Sequence, residues 1–299
     1  MTGMAGAIRI MVSRHSAFYS PLISTIAAGF LEEEGFQSTY EVLLQGADAQ
    51  ELIRQGKVDV LQSAVSSSWA RMKRGEGVLA VHFAQINQRD GFFLAGREPD
   101  SSFNWKELEG ASLLADHGWQ PLAMLKYAAY LNGVDWSKIK VIDAGSAEEI
   151  DAAFRSGIGD YVHQQGPAPQ QLERDGIGYC KASVGEAIPA VAFSSLAASR
   201  TFLQTDAARA FIRAYRRARQ WVSNAPAEEI AMKEAAFFPK VDCDVLAAAI
   251  ARYQKLGCWE GDLQITRALY QQALDVFLHS AEIPCRYAYE EVVVPSPEG

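Results

Sequence analysis

An internal repeat limits what this chain can fold into more than any other feature of its sequence. Arg54-Gln55-Gly56-Lys57-Val58-Asp59 leads into the apolar pair Val60-Leu61, and Arg155-Ser156-Gly157-Ile158-Gly159-Asp160 leads into Tyr161-Val162. The two Arg-x-Gly-x-x-Asp units lie 101 residues apart. Upstream, Pro21-Leu22 and Pro121-Leu122 each open an apolar-rich segment that runs to Gly35 or Gly133. A β-like run follows each glycine, Thr39 to Leu44 and Ile139 to Asp143. A proline is tolerated in a first helical turn, where its missing N–H would have no partner anyway, and a glycine at the far end can turn left-handed and stop the helix. Each half therefore reads as βαβαβ, starting from Ile8–Val12 in the first and Ser112–Ala115 in the second.

Short extended runs follow both halves, Gly91 to Gly96 and Ile188 to Phe193. Beyond them the apolar period is helical over Thr205–Val222, Asp242–Leu256 and Ile265–Ala281, with a strand-like stretch at Glu290–Val294. No Pro- or Ser-rich linker divides the chain, so the halves are expected to be joined by crossing strands that act as a hinge.

Composition narrows the function. Apolar residues make up 49% and charged residues 21% of 299, with a formal net charge of −8. That balance argues against a protein that tracks a nucleic-acid backbone. No run approaches the roughly 20 apolar residues that span a bilayer, so no membrane insertion is expected. Nothing before Ala7 has the basic and apolar regions of an export signal, which predicts a cytoplasmic chain as written. A trimmed leader or misassigned start would make it periplasmic. Cys180, Cys243, Cys258 and Cys285 are scattered, without metal-ligand spacing, and read as free thiols. No P-loop, HExxH or GxSxG motif is present, and no cofactor or metal is expected.

Half, crossing strand, half, crossing strand and helical return together resemble a type II periplasmic binding protein of the nitrate/sulfonate/thiamine-precursor family. The resemblance is carried by Ala28-Gly29-Phe30-Leu31-Glu32-Glu33-Glu34-Gly35-Phe36, by Gly56 to Val60, by Trp105 to Gly110, by Gly157 to Asp160 and by Gly257-Cys258-Trp259. It implies an α/β fold of two βαβ-type lobes, residues 1–91 with 194–299 and residues 92–193. It also implies a monomer that closes on a small polar or planar ligand, a pyrimidine-like heterocycle or a sulfonate-like anion, and hands it to an ABC permease. The alternative is a cytosolic enzyme on the same fold, of desulfinase, menaquinone-pathway or pyrimidine-synthase type.

In open α/β sheets, ligands sit off the carboxyl ends of the strands. That rule selects His15 and Tyr19 after the first strand, Gln62 and Ser66 after the third, and Asp90 after the run Val78 to Ala84. In the second half it selects His117, Trp119 and His163. Tyr19 and Trp119 could stack on a flat ligand, and Asp90 suits a hydrogen-donating heterocycle. Ser63 to Ser68 could cap a helix or meet a ligand oxygen. His82 reads as structural and His279 as a surface residue. Asp59 and Asp160 precede their strands, the wrong end for a ligand, and read as ties to backbone N–H groups.

Overall fold

The computed structural model describes residues 6–44, 46–99 and 102–298. Most of the segment before Ala7, on which the export reading rests, lies outside them. In chain order the strands are β1 (Gly6–Val12), β2 (Phe36–Val42), β3 (Val60–Ser63), β4 (Val81–Asn87), β5 (Phe92–Gly96), β6 (Ser112–Leu114), β7 (Lys140–Ile142), β8 (Tyr161–Gln165), β9 (Tyr179–Ser183) and β10 (Ser194–Ala198). They form two five-stranded sheets, ordered β2-β1-β3-β10-β4 and β7-β6-β8-β5-β9.

The orders are the same pattern written twice. In each sheet three strands of one half pair in parallel, and the fourth is an antiparallel strand that follows a crossing from the other sheet. The repeated aspartates do equivalent work. Asp59 accepts the Arg9 backbone N–H (2.8 Å), tying β3 to β1, and Asp160 accepts the Ser112 N–H (2.7 Å), tying β8 to β6. Gly56 and Gly157 have φ of +66° and +95°, a backbone conformation that side chains with a Cβ resist, so glycine ends the preceding helix in both halves.

Local sequence explains the helix limits. Thr205 caps the helix Asp206–Asn224 through the Ala208 N–H, and Pro226 stands just past its end. Ser146 and Glu149 form a capping box at the start of Ala147–Arg155. The helices Cys243–Lys255 and Arg267–His279 complete the C-terminal return.

The two crossings differ from the expected strands. Phe92–Gly96 lies wholly inside the second sheet, so the first crossing is the short turn of residues 88–91. Residues 188–193 are extended but join no sheet, because Pro189 has no N–H to donate and the neighbouring N–H groups bond elsewhere. Val191 and Phe193 donate to the carbonyls of Gln88 and Asn87, so the two crossings run against each other. The C-terminal stretch also departs from expectation. Tyr289–Val292 is a helical turn, and only Val293 bridges to the free edge of β4, at His82.

A single apolar cluster runs through both sheets, joining Phe18, Phe193 and Trp259 to Phe92, Phe93 and Leu113. A smaller one around Leu114, Phe154 and Val162 backs the second sheet alone. The large shared core holds the carboxyl ends of β1 and β8 face to face.

Candidate functional site

Four polar contacts cross between the sheets where those strand ends meet. Arg14 pairs with Asp116 (2.7 Å), Ser66 donates to the Gln120 side-chain oxygen (2.9 Å), and Ser16 donates to the Gly166 carbonyl (2.6 Å). From the C-terminal return, the Tyr253 hydroxyl accepts the Gly166 N–H at 2.7 Å. These contacts close the junction over an interior whose polar groups lack partners.

The unpartnered groups are unusual because a buried polar atom without a hydrogen bond costs about 1–3 kcal/mol. Both ring nitrogens of His163 are buried and unpartnered, and so is one carboxyl oxygen of Asp90, the other accepting the Phe92 N–H at 2.6 Å. Both amide atoms of Gln170 are in the same condition. The charges felt by His163 are those of Asp116, Arg14 and His117, while Asp90 feels Asp116. Tyr19 feels Arg14, Asp90 and Asp116 and lies beside the Gln165 amide. His163, Asp90 and Tyr19 therefore converge on one place, and the Gln170 side chain lies against Gly166, three residues after His163.

Burial dictates its protonation. It pushes the Asp90 carboxyl up to about 8, so that at neutral pH the group is mostly the neutral acid. It holds His163 down to about 3, leaving a neutral imidazole with one donor and one acceptor nitrogen. The His163 ring stacks on Phe92 (centroids 4.5 Å apart), and the Arg14 guanidinium lies 5.3 Å from the same Phe92 ring. The interior thus offers hydrogen-bond donors and acceptors beside an aromatic wall, and its one arginine is already paired.

Of the residues selected from sequence, Tyr19, Asp90 and His163 come together here. Ser66 takes part in closing the junction. Gln62 holds the loop after β1, its oxygen accepting from the Ser13 N–H (3.0 Å) and hydroxyl (3.1 Å). His117 sits at the rim, bonded to the Ala115 carbonyl (2.8 Å) and 3.6 Å from Asp143. His15 and Trp119 have other partners. The His15 nitrogens meet the Tyr40 hydroxyl and the Phe237 carbonyl, both at 2.9 Å, and its ring stacks on Phe238. Trp119 donates to Glu282 and packs edge-on against Phe277, so the C-terminal helix takes its ring.

Ser66 lies in the first turn of the helix Val65–Lys73, whose cap is Ala64, so the serines of 63–68 do not cap it. His82 is buried on Ser195, as a structural histidine would be, and the exposed His279 packs beside Tyr130. Sequence reasoning missed Asp116, Phe92 and Gln170. Asp116 was legible from its place two residues after β6, but nothing local marks Gln170, whose side chain reaches the junction from a helix. Cys258 is buried within range of the Asp90 charge, and burial pushes its thiol well up, so it is no ready nucleophile.

A match to the family described as NMT1/THI5 like spans residues 18–229. The chain belongs to the NMT1/THI5-like family. It is 28% identical over 290 residues to the Bacillus subtilis protein named "Putative binding protein YtlA", covering 96% of this chain and 87% of that one. Its fold is similar to that of the ligand-binding component of an ABC-type import system from Staphylococcus aureus (TM-score 0.77, 17% identity, 98% of both chains). It is also similar to that of the periplasmic aliphatic sulphonate-binding protein SsuA from Escherichia coli (TM-score 0.74, 15% identity, 97% of this chain and 92% of that one). This NMT1/THI5-like chain accordingly has the type II periplasmic binding protein fold, with its unpartnered polar groups at the junction between lobes.

Proposed function

We propose that the chain is the solute-binding component of an ABC-type uptake system and closes its two sheets over a small, planar, hydrogen-bonding ligand. The observation that carries this reading is the buried set of Asp90, His163 and Gln170, whose free donors and acceptors are costly unless a ligand meets them. The named roles of YtlA and of the two structural neighbours support a binding protein and an ABC permease as its partner.

The charge balance favours a neutral or weakly basic heterocycle over a sulfonate. Arg14 is paired with Asp116, His163 is neutral, and the remaining candidate, Asp90, is a carboxyl that burial keeps mostly protonated. An anion would have to break the Arg14 pair and sit beside two carboxyl groups. A heterocycle with a ring nitrogen beside an amino group can accept the Asp90 O–H at that nitrogen, exchange hydrogen bonds with His163 and lie against Phe92.

Calorimetry with cytosine, methanesulfonate and nitrate tests the choice. Saturable binding of cytosine, lost in Asp90→Ala and His163→Ala, is the expected result. Binding of methanesulfonate or nitrate with none of cytosine would overturn the ligand class, and ligand binding indifferent to both substitutions would overturn the site.

A further inference from the structure

The unpartnered groups of the second sheet are spread along one short segment, His163 to Gln170, and the middle of that segment is Gly166. Both backbone polar groups of Gly166 are taken by residues outside the second sheet. Its carbonyl accepts the Ser16 hydroxyl at 2.6 Å, and its N–H donates to the Tyr253 hydroxyl at 2.7 Å. Tyr253 in turn donates to the carbonyl of Gly91, in the first crossing, at 3.0 Å. Ser16 also accepts the Phe18 N–H (3.1 Å), which fixes its hydroxyl oxygen at the start of the helical turn carrying Tyr19. Ser16 is 3% exposed and Tyr253 fully buried, so water cannot replace either bond while the sheets are together.

Space at this point is full. A Cβ on Gly166 would stand 2.8 Å from the Tyr253 hydroxyl and 2.9 Å from the Gln170 side-chain oxygen. The residue is not at a positive φ, so close approach, rather than backbone conformation, requires glycine here.

We infer that Ser16 and Tyr253 are positioning residues that grip the Gly166 backbone from opposite sides, holding His163, Gln165 and Gln170 in the register needed to meet a ligand and coupling that register to closure of the sheets. Neither touches the ligand groups directly. The inference rests on the reading that the two sheets close on a ligand, but its consequences appear without one. When the sheets part, both bonds must break together, because Ser16 lies in the loop after β1 and Gly166 directly after β8. Each bond lost from the closed form should shift the closed-to-open ratio about fivefold towards open.

Ligand-free hydrogen exchange read on peptides spanning residues 161–172, with small-angle scattering on the same samples, tests this. Tyr253→Phe and Ser16→Ala should each speed exchange of that segment about fivefold and enlarge the radius of gyration. Ser16→Thr, which keeps the hydroxyl, should restore wild-type exchange. Gly166→Ala, which wedges the grip apart without removing either hydroxyl, should behave like the combined Ser16→Ala and Tyr253→Phe variant. Wild-type exchange and dimensions in that combined variant would overturn the inference. So would an acceleration spread evenly over both sheets, which marks general destabilisation. A cytosine failure in calorimetry would leave these ligand-free results standing, so the two readings fail separately.

Discussion

Four buried titratable side chains contribute to the pH dependence of this protein in opposite directions. Asp90 and Glu234 are both raised to about 8 by burial, from ordinary values of 3.8 and 4.5. Glu234 accepts the Ser20 (2.8 Å) and Ser24 (2.6 Å) hydroxyls, which partly offset that burial. Between their ordinary and raised values, the folded chain holds protons that the unfolded chain has released, so stability falls as pH rises. His82 and His163 are held at about 3 against an ordinary 6.5, so the unfolded chain binds protons there that the folded chain refuses. Their contribution therefore falls as pH drops below 6.5. The two slopes oppose each other between roughly pH 4.5 and 6.5, and only the carboxyl slope remains from 6.5 to 8. The melting temperature of the ligand-free protein should decline across that upper window, and Asp90→Asn should remove roughly half of the decline. Scanning calorimetry at half-unit steps reads the slope directly. An Asp90→Asn slope equal to that of the wild type would mean that Asp90 is ionised in the folded chain.

At the scale of elements, the duplicated aspartates show why so much of the fold was legible. Arg-x-Gly-x-x-Asp recurs because each part has a local duty performed twice: glycine ends a helix, and aspartate ties the incoming strand to the first strand of its own sheet. Local duties leave local marks. The apolar period set the limits of Asp206–Asn224 and Cys243–Lys255 to within two residues for the same reason. The crossings were less legible, because an apolar run such as Phe92–Gly96 reads alike whether it spans two sheets or completes one. Glu290–Val294 likewise reads as a strand, but Tyr289–Val292 closes into a helical turn and leaves Val293 to make a single bridge to β4. The aspartate ties make a quantitative expectation. Asp160→Ala removes bonds to the Ser112 N–H and hydroxyl, and Asp59→Ala removes bonds to the Arg9 N–H and guanidinium. Each should lower stability by about 1 kcal/mol, given their partial exposure, and the losses should add because the ties lie in separate sheets. Urea denaturation of both single variants and the double variant measures this. A double variant no less stable than either single one would show that the two ties are not independent.

For the whole molecule, the site was legible only as a place. The strand-end rule led to Tyr19, Asp90 and His163, which stand beside strand ends that face the junction. It also led to His15 and Trp119, whose partners, Phe237 and Glu282, lie more than 160 residues further along the chain and leave no sign near either residue. Separations of 87 and 102 residues likewise hide Tyr253 from Gly166 and Asp116 from Arg14. The last of these pairs makes closure itself testable. Arg14 is 30% exposed and Asp116 only 8%, so the two partners differ in what happens when one is left alone. Without Asp116, the arginine can turn its charge to water. Without Arg14, the carboxylate stays in the junction, beside Asp90, until the sheets part to admit solvent. Losing the arginine should therefore disfavour the closed form by about 2 kcal/mol, below the range for fully buried pairs, and losing the carboxylate charge by much less. Small-angle scattering of the ligand-free variants should show Arg14→Ala clearly expanded, Asp116→Asn near the wild type, and the Arg14→Ala/Asp116→Asn combination less expanded than Arg14→Ala alone. An Asp116→Asn protein as open as Arg14→Ala would place the strain of the junction on the arginine instead.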